Sequence, residues 1–124
     1  MYQPLHPSIL RMIRQAVEEG KKAGIDVALC GEMAGDPLCT CILLGLGIHE
    51  LSLNAVGIPI IKKIIRTLSL EECRKDLEQI LQLDTATRVR EVIKAKMKPL
   101  LKDLEHQGLI TSYNNLDKRA FQHA

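Results

Sequence analysis

The chain has 124 residues, 46% hydrophobic and 26% charged, with a net charge of +2. That balance describes one globular domain at most, excludes wholesale disorder, and is too weakly basic to imply a nucleic-acid or membrane partner. Only Tyr2, Tyr113 and Phe121 are aromatic, so there is no platform for stacking bases and the core must be aliphatic. No apolar stretch approaches the roughly 18 residues of a spanning helix, and the first residues lack the basic-then-apolar layout of a signal peptide. The four cysteines therefore read as free thiols of a reducing, cytoplasmic compartment.

His6-Pro7-Ser8 predicts a helix start, because proline suits a first turn, and Ile9, Leu10, Ile13, Ala16 and Val17 follow at helical spacing. Gly20 or Gly24 closes that helix. Asp26 to Cys30 reads as a buried strand with Ala28 and Cys30 on one face and Val27 and Leu29 on the other. Asp36-Pro37 supplies a cap and a first-turn proline for a helix to about Leu46, and His49 to Asn54 reads as a second strand. Strand, crossover helix, strand is a right-handed parallel unit. Ser52 and Asn54 share one face of the second strand; Leu51 and Leu53 share the other and are expected to pack on helices.

After Gly57 the pattern is helical. Ile58, Ile61, Ile64, Ile65 and Leu68 form one stripe, with Lys62, Lys63 and Arg66 mainly outside it. Ser69-Leu70-Glu71-Glu72 is a capping box for a helix burying Leu70, Cys73, Leu77, Ile80 and Leu81. Asp84 or Thr85 caps a third helix carrying Val89, Val92, Ile93, Met97, Leu100, Leu101 and Leu104, with a kink expected at Pro99 and an end at Gly108. The remainder is polar and weakly patterned.

Cys30-Gly31-Glu32-Met33-Ala34-Gly35-Asp36-Pro37 joins the first strand to its helix, which sets a thiol at a strand end with glycines that let backbone approach a ligand. Leu43-Leu44-Gly45-Leu46-Gly47, Glu50-Leu51-Ser52-Leu53-Asn54-Ala55, Ile58-Pro59 and Ile61-Lys62-Lys63-Ile64-Ile65-Arg66 follow. In this order, from Tyr2 to about Arg66, the series resembles the last part of Enzyme I of the phosphoenolpyruvate-dependent phosphotransferase system; from about Ser69 onward the likeness is only generally helical. The resemblance implies an α/β fold: residues 1–68 as the last βαβα portion of a partial (β/α)8 barrel, 69–108 as a helical extension and 109–124 as a loose polar tail. A full barrel needs roughly 200 or more residues, so the chain is expected to be a piece of an enzyme. Met1 stands where the family has another apolar residue, which would make it an internal methionine serving as a start. Two strands cannot close a barrel, so the chain alone is expected to self-associate or misfold while much of its helicity survives.

The resemblance implies that Cys30 is the proton donor to pyruvate enolate when phosphoenolpyruvate gives its phosphoryl group to a histidine. A buried core cysteine is the plainer alternative. Gly31 and Glu32 are then candidates for orienting the Cys30 loop or contacting substrate, with a purely loop-stabilising contact as the other reading of Glu32. Asn54 is a candidate at the second strand's top, and Asp36 reads as a helix cap. The implied cofactor is Mg2+, and the family's metal ligands and phosphate-binding arginines lie upstream of Tyr2, outside this chain. The isolated chain is accordingly expected to be inactive. The implied partners are phosphoenolpyruvate or pyruvate, a histidine phosphocarrier protein and a second copy of the barrel. Phosphoenolpyruvate synthase and pyruvate phosphate dikinase are enzymatic rivals, and a noncatalytic module that binds a barrel partner is a rival of another class.

Other signals carry less. Cys39-Thr40-Cys41 places its thiols nearly opposite each other on a helix, which does not suit a metal. Gly45-Leu46-Gly47 lacks the third glycine of a dinucleotide loop and reads as a helix C-cap. His49 and Glu50 begin their strand and fall at the structural end, and His6, His106 and His123 have no partner at ligand spacing.

Overall fold

The computed structural model describes residues 4–112. Five helices and two parallel strands follow in the order α1 (Pro7–Lys22), β1 (Ala28–Cys30), α2 (Thr40–Leu46), β2 (Glu50–Ser52), α3 (Ile58–Thr67), α4 (Leu70–Ile80) and α5 (Ala86–His106). At the start of α1, Pro7 occupies the first turn, where no N–H is required, and His6 Nδ1 accepts the Ser8 N–H at 3.2 Å. Ser69 caps α4 by accepting the Glu72 N–H at 3.4 Å, and Thr85 caps α5 by accepting the Arg88 N–H at 3.2 Å. Gly47 ends α2 in the left-handed conformation at φ 83°, which turns the Ile48 N–H back onto Leu43 O at 3.3 Å and satisfies a terminal carbonyl. Gly24 and Gly108 close α1 and α5 by the same reversal.

The strands pair with Ala28 opposite Glu50, Leu29 opposite Leu51 and Cys30 opposite Ser52. Leu29 and Leu51 pack against the helical core, whereas Ala28, Cys30, Glu50 and Ser52 are exposed on the other face. At the beginning of the strands His49 holds Val27 twice: its N–H donates to Val27 O at 3.1 Å and its Nδ1 accepts the Val27 N–H at 3.3 Å. His49 therefore has a structural task at the end of the sheet remote from Cys30.

α2 is the centre of the packing. Five of its seven residues, Thr40, Cys41, Ile42, Leu43 and Leu46, are buried, as a helix packed on several sides must be. It meets α1, α3 and, most extensively, α4. Ile64, Ile80, Val89, Ile93, Leu101 and Leu104 complete an aliphatic core. On the surface, Arg11 donates to Leu81 O at 2.7 Å, covering a carbonyl at the end of α4.

Several expectations need correction. Both strands are shorter than the alternation predicts, at three residues each rather than 26–30 and 49–54, because the chain leaves β1 at the positive-φ Gly31 and turns after β2 at Asn54, whose Oδ1 accepts the Gly57 N–H. The regular helix α2 begins at Thr40, not at Asp36-Pro37: residues 37–39 form a tight turn in which the Cys39 N–H reaches Asp36 O at 3.0 Å. Asp36 caps that turn, its Oδ1 accepting the Leu38 N–H at 2.9 Å. α5 runs through Pro99 as one helix. Ile58 and Ile65 remain partly exposed, since among the described helices α3 packs chiefly on α2 and cannot bury so wide a stripe; Leu70, in the first turn of α4, is exposed as well.

The closest backbone approach tests this packing. A Cβ at Gly45 would lie 2.6 Å from the Cys73 carbonyl oxygen and 3.1 Å from its carbon, so Gly45→Ala must push α2 and α4 apart. Overpacking against backbone costs about 3 kcal/mol, which outweighs the helix-propensity gain of about 1 kcal/mol. Chemical denaturation of the variant is expected to show a net loss of about 2 kcal/mol; unchanged stability would contradict the observed approach.

Candidate functional site at the strand ends

Parallel strands leave their carboxy-terminal ends facing one way, and here those ends open into a cleft of about 910 Å³. Cys30, the last residue of β1, lines it as the exposed cysteine, while Cys39, Cys41 and Cys73 are buried. Its partner in register, Ser52, lines the same cleft. The Gly31 N–H extends the ladder by one bond, donating to Ser52 O at 3.4 Å. Gly31 then takes φ +102°, a conformation that side chains rarely adopt, and the chain leaves the strand directly after the thiol.

The loop that follows is a series of tight turns: the Ala34 N–H reaches Gly31 O at 3.2 Å, Gly35 reaches Glu32 O at 3.2 Å and Asp36 reaches Met33 O at 3.4 Å. Met33 and Ala34 are buried and anchor it to the core. Glu32 is exposed at the cleft, and its backbone carbonyl takes part in the turn. Asn54 borders the cleft from the β2–α3 connection, its Oδ1 accepting the Gly57 N–H at 3.1 Å. The structure thus brings Cys30, Gly31, Glu32 and Asn54 to one cleft, with Asp36 at its edge.

The electrostatics of the cleft are one-sided. Glu32 and Asp36 line it, and among its described lining residues there is no Lys or Arg. No group of three or more His, Cys, Asp or Glu that could hold a metal occurs among the described residues. Behind the loop, burial pushes the Cys39 thiol well above the usual range and the Asp36 carboxylate adds to the effect, so that thiol is inert.

Pro4, Thr111 and Ser112 also line the cleft, and nothing in the sequence pattern marks them. Gly108 reverses the chain at φ +72°, and Leu109 to Ser112 return along the cleft with Ile110 packed on the core. The polar pattern predicts a loose tail there; residues 113–124 of that tail lie outside the described residues. The exposure difference among the thiols has a direct readout. Iodoacetamide is expected to add one group to the folded chain, at Cys30, and four in denaturant. Rapid native labelling of Cys39 or Cys73 would contradict this burial.

Comparison with known proteins identifies the family to which the chain is related. Residues 1–70 match the family described as PEP-utilising enzyme, PEP-binding domain. A phosphoenolpyruvate-dependent phosphotransferase system protein of Salmonella typhimurium is 39% identical over 97 residues, covering 78% of this chain and 13% of that protein. Phosphoenolpyruvate-protein phosphotransferases of Haemophilus influenzae and Mycoplasma genitalium are 37% and 38% identical over 93 residues, covering 75% of this chain and 16% of each relative. The chain thus spans about one-seventh of the length of these relatives. A match of 97 residues in a chain of 124 must include α4, so the likeness reaches past Arg66, where the motifs alone suggest that it fades. With its family match over more than half its length, the chain belongs to the PEP-utilising enzymes.

Proposed function

We propose that this chain supplies the last strands and helices of the phosphoenolpyruvate-binding (β/α)8 barrel of a cytoplasmic phosphoenolpyruvate-protein phosphotransferase, with Cys30 as its proton donor. The observation that carries the reading is the position of Cys30: an exposed thiol at the carboxy-terminal end of a parallel strand, before a positive-φ glycine, in a cleft. Barrel chemistry is done at that end of the strands. The phosphoenolpyruvate-protein phosphotransferases of Haemophilus influenzae and Mycoplasma genitalium and the family match support the substrate class.

In the proposed step phosphoenolpyruvate has lost its phosphoryl group to a protein histidine, and the leaving group is pyruvate enolate. The Cys30 S–H bond breaks, its proton bonds to the terminal carbon using the enolate electron pair, and pyruvate and a thiolate result; the reverse step restores the thiol. Gly31 and the buried Met33-Ala34 fix the loop, and Glu32 and Asn54 border the ligand. A magnesium ion would neutralise phosphoryl oxygens in the assembled enzyme, but the described residues offer it no ligand set. Its ligands and the phosphate-binding arginines are assigned to upstream parts of the barrel, as are the contacts with a histidine phosphocarrier and with a second barrel. The bare face of β1 and β2 favours a second reading, a noncatalytic module that docks on a barrel partner.

The deciding experiment is solvent-proton exchange into pyruvate by the chain joined to the upstream barrel of a relative. Cys30→Ala is expected to lower exchange by about 10²- to 10⁴-fold while phosphoryl transfer to histidine persists better. Unchanged exchange would remove Cys30 from its role. The 124-residue chain alone is expected to release no pyruvate from phosphoenolpyruvate with magnesium and a phosphocarrier; robust turnover would refute the assignment of the phosphate site to other segments.

A further inference from the structure

The α2–α4 contact holds two buried thiols that take no part in the cleft: Cys41 is 3% exposed and Cys73 1%. Two observations bring them near one another. Gly45, one turn beyond Cys41 on α2, admits the α4 backbone so closely that a Cβ there would meet Cys73 O at 2.6 Å. Cys41 Sγ lies 4.0 Å from Asp76 Oδ2, and Asp76 is one turn beyond Cys73 on the same side of α4.

We propose that Cys41 and Cys73 are an oxidation site, at which a peroxide closes an intramolecular disulfide that staples α2 to α4. The Cys73 sulfur, as thiolate, attacks a peroxide oxygen; the O–O bond breaks, and the departing hydroxide takes the former Cys73 proton and leaves as water. The resulting sulfenic sulfur is attacked by Cys41. The S–S bond forms, the S–O bond breaks, and the second hydroxide leaves as water with the Cys41 proton. Two thiols are oxidised by two electrons and one hydrogen peroxide is reduced to two waters.

Cys73 is the attacking sulfur because the neighbouring Cys41 thiol favours its thiolate, while the same neighbour and burial push the Cys41 thiol up. Lys96 stands nearby with its charge matched by Asp76 at 2.6 Å. The packed core also selects the product. A glutathione-sized adduct has no room on a side chain 1% exposed, whereas a disulfide removes two hydrogens and adds nothing. Exposed Cys30 has no such restriction.

The test uses the full 124-residue chain carrying Cys30→Ala, which leaves Cys39, Cys41 and Cys73 as its thiols. The folded protein is exposed to millimolar hydrogen peroxide, alkylated in denaturant and digested; the same is done after unfolding. The expected product of the folded chain is lighter by two hydrogens, links the Cys41 and Cys73 peptides, exceeds any Cys39-linked product by about tenfold, and melts roughly 5 °C higher. The unfolded chain is expected to give a mixture of linkages. Three alkylatable thiols after treatment, a bridge to Cys39 as the main product, or the same mixture from folded and unfolded chains would each overturn the proposal.

Discussion

A two-stranded parallel sheet can turn only one of its faces to a helical core, and the other features follow from which face is chosen. Leu29 and Leu51 face the core. Since side chains alternate along a strand, Ala28 and Cys30 on β1 and Glu50 and Ser52 on β2 must then stand on the open side. A slip of one residue would bury the thiol and expose the leucines, at a cost of about 1.5–3 kcal/mol for each leucine fully removed from the core. Apolar burial, not any interaction of the thiol itself, puts Cys30 in the cleft.

The loop after Cys30 is held from both ends. Gly31 is bonded to the neighbouring strand through Ser52 O, and Met33 and Ala34 sit in the core. The turn at residues 37–39 delivers the chain into α2, whose position is set by the approach of Gly45 to the α4 backbone. On such a support the backbone sets the direction of the Cys30 thiol, which suits the proposed protonation of carbon from one side. No Lys or Arg occurs among the described lining residues, and the proposed function accordingly assigns the groups that grip a phosphoryl anion to other strands of a barrel.

Much of this was legible in local chemistry. The period-two pattern gave the two faces of β1 and β2 correctly, and His6-Pro7-Ser8, the Ser69 capping box, Thr85, Gly47 and Gly108 marked helix ends because each satisfies a backbone group that only a helix terminus leaves open. Properties set by distant neighbours were less legible. Proline at 37 is as compatible with a tight turn as with a helix start, so the beginning of α2 could not be read locally. Ile65 and Leu70 belong to apolar stripes that exceed what their neighbours cover. The return of residues 109–112 to the cleft has no periodic signature at all. The proposed link between Cys41 and Cys73 depends on the close approach of α2 and α4 that Gly45 permits.

Under the proposed function the open face of this sheet is the inward face of a larger barrel. Amide hydrogen exchange of the chain, alone and mixed with the upstream barrel segment of a relative, measures it most directly. Alone, amides in α2, α4 and α5 are expected to be protected while those from Ala28 to Cys30 and from Glu50 to Ser52 exchange rapidly, because each strand has one partner and a bare face. With the upstream segment present, protection is expected to rise in those two strands and to change little in α4. Strands already as protected as α4 in an isolated monomer, or strands indifferent to the added segment, would contradict the account.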